Sequence, residues 1–393
     1  MKIITRTVWI LSLVSLFTDM ASEMLYPVMP VYLRSIGFSV LLIGILEGVA
    51  EATAGLSKGY FGKRSDLAGK RVPFVQAGYA LSALSKPLMA VLAYPLWILG
   101  ARTIDRFGKG IRTGARDALL SDESTPESKG RVFGFHRSMD TLGAVLGPAA
   151  ALVYLWYHPG QYRTLFLIAF VPGILAVTAS FLLSEKKQTA PVLKKPTPFF
   201  SFLSYWPKSP PAYRKLATGL LLFTLFNSSD VFLLLQARAC GLTDPQVIGV
   251  YIFYNLVYAL SAFPAGTLAD RVGLKPVFLG GLALFAIVYG GMATTPGLPL
   301  VILLFFLYGI YAAATEGISK AWIAMISAKK DTATAIGTFS GLQSLCMLVS
   351  STLAGLAWYR FGAAAAFGLS AVMAVVTWFY LLRVPRPVVP VDE

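Results

Sequence analysis

Charge is scarce in this chain, and so is sulfur. Asp, Glu, Lys and Arg together make up 13% of its 393 residues, against about 25% in an ordinary soluble domain, which excludes a water-soluble globule. There are two cysteines and two histidines. Cys240 and Cys346 stand far apart and make no CxxC or other metal spacing, and His136 and His158 cannot build an HExxH or similar cluster. Neither a metal site, a cofactor nor a disulfide is expected. No nucleophile is spaced with a base as an enzyme would need at depth, so an enzyme is not expected either.

What the chain has instead is grease. Hydrophobic residues supply 56% of the sequence and the mean hydropathy is +0.66. Apolar segments of roughly 20 residues recur, each long enough to cross about 30 Å of hydrocarbon as a helix. Twelve are counted. The first runs from about Val8 to Leu33; it follows Lys2 and Arg6 as a signal sequence would, but its length, Asp19 and Glu23 mark a retained span. The others begin near Val40, Val72, Pro95, Arg131, Thr164, Leu216, Pro245, Pro276, Leu298, Ala333 and Ala363.

Lys and Arg cluster in alternate loops, as basic short loops do when they stay in the cytoplasm. With the N-terminus inside, one side holds Lys63, Arg64, Lys70, Arg71, Lys129, Arg131, Lys186, Lys187, Arg271, Lys275, Lys329, Lys330, Arg383 and Arg386, and the other little beyond Arg34, Arg163 and Arg360. Both termini are then cytoplasmic, and an inner (plasma) membrane is the expected location. The formal charge of +15 is a topology signal that also faces anionic lipid; no nucleic-acid partner is needed.

A Pro- and Lys-rich stretch between spans six and seven, too polar for lipid, divides the chain into 1–185, a linker 186–215, and 216–393. The halves echo each other. "GKRSDLAGKR" from Gly62 to Arg71 and "GTLADRVGLK" from Gly266 to Lys275 both read GxxxDxxG. A weaker echo sets Gly134 against Gly337 and Asp140 against Gln343. Repeated halves in a membrane chain point to a secondary transporter.

On these residues the sequence resembles the major facilitator superfamily over nearly its whole length. The family's loop signature, G-x-x-x-D-[RK]-x-G-x-[RK]-[RK], is matched by Gly266, Asp270, Arg271, Gly273 and Lys275, with Pro276 in place of the last basic residue. The first copy keeps Gly62, Asp66, Gly69 and Arg71, with Leu67 and Val72 as departures. The fourth-span pattern R-x-x-x-G fits Arg106 and Gly110. The fifth-span pattern G-x8-G-x3-G-P-x2-G-G fits Gly134, Gly143, Gly147 and Pro148, after which Ala151 and Leu152 depart. The resemblance implies an all-α polytopic fold, twelve transmembrane helices in two pseudo-symmetric six-helix bundles, alternating access, and, from the fifth-span pattern, export in exchange for protons. It also implies that loop contacts through Asp66, Asp270 and neighbours such as Arg112 hold the outward-facing state; the loop glycines are expected to allow a tight turn.

The charges that do enter the spans are the functional candidates. At 100° per residue, Arg102, Asp105, Arg106, Lys109, Arg112 and Arg116 share an arc of roughly 120°. An intramembrane Arg costs at least ~2.5 kcal/mol unless paired or wet, so this stripe must face protein or water. Arg102 and Arg106 are expected in a cavity or a buried ion pair; Arg112, Arg116 and Asp117 in a latch with loop residues such as Asp66. Asp19 and Glu23, with Tyr26 on their face, are the favoured proton sites, since a carboxylate beside an Arg can alternate between proton-bound and Arg-paired states. Glu47 and Glu51 either serve the same cavity, pair with Lys86 or fix helix packing. On span five, Asp140 is a cavity candidate, while Gly143, Gly147 and Pro148 read as packing.

The second half is poorer in charge: Asn227, Asp230, Tyr254, Glu316 and Gln343 are its candidates. Glu316 and Lys320 are spaced to pair. Proton handling is therefore assigned to the first half and substrate shape to the second. The function expected is a monomeric, proton-coupled exporter of a small organic or drug-like solute. Proton-linked uptake of an organic anion, neutralised by Lys86, Arg102 and Arg106, is the alternative, and a receptor-like membrane scaffold the rival from another class.

Overall fold

A computed structural model describes residues 4–26, 28–29, 32–33, 36–37, 40–184, 198–294 and 297–384; for 40–49, 51–52, 95 and 244–245 it describes the backbone alone. No strand occurs among the described residues. The first half supplies α1 Arg6–Glu23, α2 Val40–Ala68, α3 Val72–Val91, α4 Pro95–Asp122, α5 Lys129–Tyr157 and α6 Tyr162–Ser180. The second supplies α7 Pro211–Phe226, α8 Asp230–Ala239, α9 Asp244–Val272, α10 Leu274–Met292, α11 Leu298–Ile326, α12 Thr332–Phe361 and α13 Ala363–Leu382. The starts fall within a few residues of those read from hydropathy.

Among the described residues, eight spans are long and apolar enough to cross a membrane: α5, α6, the continuous stretch Pro211–Ala239 that contains α7 and α8, and the five helices after it. In the first half, α1, α3 and α4 carry Asp19, Glu23, Lys86 and the α4 stripe. The seven helices of the second half thus make six spans, because one span is broken. Asn227, Ser228 and Ser229 leave the helix between α7 and α8, and Ser229 caps α8 by accepting the Val231 N–H at 3.4 Å.

Contacts divide the chain into two compact units. Unit 1 comprises 1–123, 139–208 and 329–344; unit 2 comprises 124–138, 209–328 and 345–393. Inside unit 1, Met24, Leu25, Met29, Met89, Ile98, Ala101, Leu165, Phe166 and Ala169 form a buried apolar cluster drawn from the chain just beyond α1 and from α3, α4 and α6. Unit 2 is built around packed rings, with Phe285 and Tyr289 stacked at 3.9 Å and Phe223 edge-on to Phe285 at 4.9 Å.

Part of the segment read as a linker is packed. The turn Phe199–Ser204 runs into the short helix Tyr205–Lys208 and docks on α2. Phe202 is buried and fills the space in front of Gly59, where a Cβ would lie 2.5 Å from its ring. Lys63 Nζ donates to the Ser201 carbonyl at 2.6 Å, and Tyr60 stacks on Phe199 at 5.2 Å.

Candidate functional site

The α4 stripe faces protein, as its cost in lipid requires. In unit 1 a cavity is lined by Asp19, Ser22, Glu23 and Tyr26 of α1 and the turn after it, and by Arg102, Asp105, Arg106, Lys109 and Arg112 of α4. Its volume is about 20 Å³, which is water-sized. Three carboxylates thus meet four cations around it.

The walls are held by hydrogen bonds from α3. Lys86 Nζ donates to Asp105 Oδ1 at 2.9 Å and to Ser22 Oγ at 3.2 Å, with Lys86 and Asp105 both buried. Asp105 also lies in the field of Arg106 and Arg102. Arg112 donates to Ser82 Oγ at 2.6 Å and lies over the Tyr79 ring at 4.6 Å; Ser82 in turn donates to the Asp105 carbonyl at 3.1 Å. Lys86 therefore pairs with Asp105. The Glu47 and Glu51 side chains lie outside the described residues.

Deeper along the stripe, Arg116 Nε donates to Asp117 Oδ1 at 2.9 Å and its Nη1 to Ser15 Oγ at 3.3 Å. Ser15 donates to Asp140. Asp140 is thereby tied to α1, and the glycines beyond it bring α5 against α1: a Cβ on Gly143 would strike the Leu16 carbonyl, and one on Gly147 would lie 2.5 Å from that of Met20. The latch expected between Asp66 and the stripe residues Arg112 and Arg116 gives way to a different pair: Asp66 meets Arg71 at 3.2 Å. Arg71 also binds Asp122. The basic residue within the loop signature is five positions from Asp66 and reaches it first, while Arg112 and Arg116 are engaged by Ser82 and Asp117.

The two loop motifs share one geometry, each within its own unit. Asp66 Oδ2 accepts the Thr334 N–H at 2.6 Å and the Thr334 hydroxyl at 2.8 Å, near the start of α12. Asp270 accepts the N–H groups of Gly130 at 2.7 Å and Arg131 at 3.0 Å, at the start of α5, together with Arg131 Nε at 2.8 Å. A carboxylate there satisfies amides that a helix leaves open and meets the positive end of its dipole. The glycine four residues earlier lies on the same helix face and lets the backbones approach: a Cβ on Gly62 would meet the Ala333 carbonyl oxygen, and one on Gly266 that of Gly130. This corrects the expectation of a tight turn at those glycines. The turns are made by Gly69 and Gly273, at φ 60° and 100°. Burial pushes the Asp66 carboxyl up to about 6, against the opposing pull of Arg71 and Thr334.

In unit 2, Asp230 accepts the hydroxyls of Tyr254 at 2.5 Å and Tyr308 at 2.6 Å. Asn227 donates to Tyr311 Oη at 3.0 Å, and the Ser228 and Tyr289 hydroxyls lie 3.4 Å apart. Sequence reasoning missed Tyr289, Tyr308 and Tyr311; the i, i+3 pair Tyr308/Tyr311 on α11 was the available sign. Glu316 pairs with Arg137 of α5, a partner that helical spacing could not offer, and Arg137 also bonds the Tyr258 hydroxyl. Gln343 lies half-buried in α12. Among the described residues no three His, Cys, Asp or Glu side chains gather as a metal site would need.

The family model of the Major Facilitator Superfamily matches residues 11–251 and 231–393. An uncharacterized MFS-type transporter of Methanocaldococcus jannaschii is 33% identical over 385 residues, 96% of this chain and 95% of that protein. The quinolone resistance protein NorA of Staphylococcus aureus is 26% identical over 174 residues, 44% of each chain. Among solved structures, the human organic anion transporter MFSD10 superposes with a TM-score of 0.81 at 19% identity, covering 96% of this chain and 99% of its own. The Escherichia coli fucose:proton symporter FucP superposes at 0.79 and 12% identity, covering 96% and 98%. Twelve spans in two echoing halves, paired GxxxD loops and a family model matched from end to end place this chain in the major facilitator superfamily of transporters.

Proposed function

We propose that this chain is a proton-coupled secondary transporter that works by alternating access and exports a small organic solute in exchange for protons. One observation carries the reading: Asp19 and Glu23 of α1 line the same small cavity as Arg102, Arg106, Lys109 and Arg112 of α4. A carboxylate that can be satisfied by an arginine or by a proton is a switch whose two states differ in charge. A cavity of about 20 Å³ suits water and protons, so it serves coupling and not substrate. The similarity to a protein named for quinolone resistance supports export, and the likeness to a fucose:proton symporter supports proton coupling. The basic loops support cytoplasmic termini and an inner membrane, with the monomer as the working unit.

The excess of cations around the cavity favours a second reading, proton-linked movement of an organic anion; human MFSD10, whose fold this chain shares, is called an organic anion transporter. Proteoliposomes carrying a pH dye distinguish the two. A fluoroquinolone gradient is expected to drive proton movement in the opposite direction, and Asp19→Asn, Glu23→Gln or Arg106→Gln to reduce it at least about ten-fold, equivalent to ~1.4 kcal/mol, while the protein remains monodisperse. Proton movement in the same direction as added benzoate would replace export by anion symport. Undiminished coupled flux in all three variants would remove the α1 and α4 site from the mechanism.

A further inference from the structure

Unit 2 contains a carboxylate that the exporter reading does not use. Asp230 is the first residue of α8, inside the span Pro211–Ala239. It stands where that span leaves the helix, and its two oxygens each receive a tyrosine hydroxyl: Tyr308 on Oδ1 at 2.6 Å, Tyr254 on Oδ2 at 2.5 Å. Both lengths fall within the roughly 2.5–2.7 Å of a hydroxyl donating to an ionised oxygen. A positive helix end at the same place adds to that.

The break is wired to the same group of hydroxyls. Asn227 donates to Tyr311, and Ser228 meets Tyr289. Tyr308 adjoins both of those tyrosines, with ring centroids 5.2 Å from Tyr311 and 6.5 Å from Tyr289. Asn227 Oδ1 is buried with no hydrogen-bond partner among the described residues, so the network at the break holds an acceptor ready for another donor. A proton arriving at Asp230 turns one carboxylate oxygen from acceptor into donor. The tyrosine that had donated to it must then rotate its O–H elsewhere, which changes what the hydroxyls offer Asn227 and Ser228. Three residues outside the helix are the part of this span that can answer by bending.

We infer that Asp230 is a second proton-binding site, and that its protonation, passed through Tyr308 and Tyr254, sets the angle between α7 and α8. The groups that bear on it are Tyr254 of α9, Tyr289 of α10, Tyr308, Tyr311 and Glu316 of α11, and Arg137 of α5. Glu316 and Arg137 pair with each other and leave the local charge to Asp230. The inference rests on proton coupling, as the exporter reading does, but not on the same residues.

Infrared titration of the purified full-length protein tests it. In an Asp19→Asn/Glu23→Gln/Asp66→Asn background, a protonated-carboxyl band is expected to grow as pH falls, and one component of it to be missing when Asp230→Asn is added. Spin labels at Thr218→Cys on α7 and Ala239→Cys on α8, with Cys240 and Cys346 changed to Ser, are expected to change separation over the same pH range and to hold one separation after Asp230→Asn. Tyr308→Phe keeps the carboxylate and deletes one donor, and is expected to move the midpoint by about one pH unit or more, which covers the case of an Asp230→Asn protein that does not fold. A carboxyl band left unchanged by Asp230→Asn, a label separation that still tracks pH in that variant, or an unmoved midpoint in Tyr308→Phe would overturn the inference and leave the α1 carboxylates untouched. Loss of coupled flux in Asp19→Asn with the Asp230 band intact is the outcome in which both sites stand.

Discussion

The carboxylate of Asp270 accepts the backbone N–H of Gly130 at 2.7 Å, and the glycine four residues before that aspartate lies against the carbonyl of the same Gly130. One residue's backbone is thus gripped at both ends by a GxxxD pair. Asp66 and Gly62 repeat the grip on Thr334 and Ala333.

Replacing Asp270 by Ala removes a buried acceptor from two amides and from Arg131, and is expected to cost about 2–3 kcal/mol, read as a lowered midpoint of thermal unfolding. Asp270→Asn retains one acceptor oxygen and should lie between. Equal stability of Asp270→Ala and wild type would show the grip to be energetically idle.

Gly266→Ala drives a methyl into the Gly130 carbonyl, a backbone atom that cannot step aside, and is expected to destabilise the protein by several kcal/mol or to abolish its expression as a monodisperse species. Gly280→Ala, in the middle of α10 with nothing within 4 Å of the added carbon, should be neutral or stabilising by up to about 1 kcal/mol. Size-exclusion profiles and unfolding midpoints of the two variants check the contrast.

Asp66 gives the first loop a pH dependence of definite sign. Its carboxyl in place sits near 6, above the 3.8 of an exposed aspartate, so the docked arrangement holds the proton more tightly than a solvated one. Its contribution is fully present below the ordinary value and is lost as pH rises through about 6, over a range worth roughly 3 kcal/mol at 1.36 kcal/mol per unit. Relative to Asp66→Asn, wild-type thermal stability is expected to decline from about pH 4 to about pH 6 and to level off by about pH 7; a rise over that interval contradicts the assignment.

Lys86→Met leaves the buried Asp105 with one fewer partner and is expected to cost about 3–5 kcal/mol. Because the two side chains are in contact, Lys86→Met/Asp105→Asn should cost less than the single changes added together, by about 1–3 kcal/mol. A double-mutant cycle on unfolding midpoints that closes additively would show that Lys86 is held by something other than Asp105.

Hydropathy sufficed for the spans because each apolar segment answers only to the thickness of a bilayer, and the starts near Val40, Val72, Pro95, Leu298 and Ala363 are those of the helices. The α4 stripe was legible for the related reason that burying an unpaired arginine is too costly to occur by accident. Partners were less so. For Lys86 the sequence offers Glu47 or Glu51, whereas its bond to Asp105 rests on how α3 leans on α4. Helical period puts Glu316 beside Lys320 and says nothing of its pairing with Arg137, 179 residues away. The break at Asn227–Ser229 carried a signal in "FNSSD", a serine cap followed by an acid, but the apolar character of the run from Pro211 to Ala239 outweighed it.

Phe202, seated before Gly59, decides how this polypeptide can be cut in two. Fragments separated after Lys208 would leave the plug with the helix that receives it, and co-expression need only reunite the halves. A cut before Phe199 strands the plug on the wrong piece, so Gly59 is left uncovered until the second fragment brings the ring back.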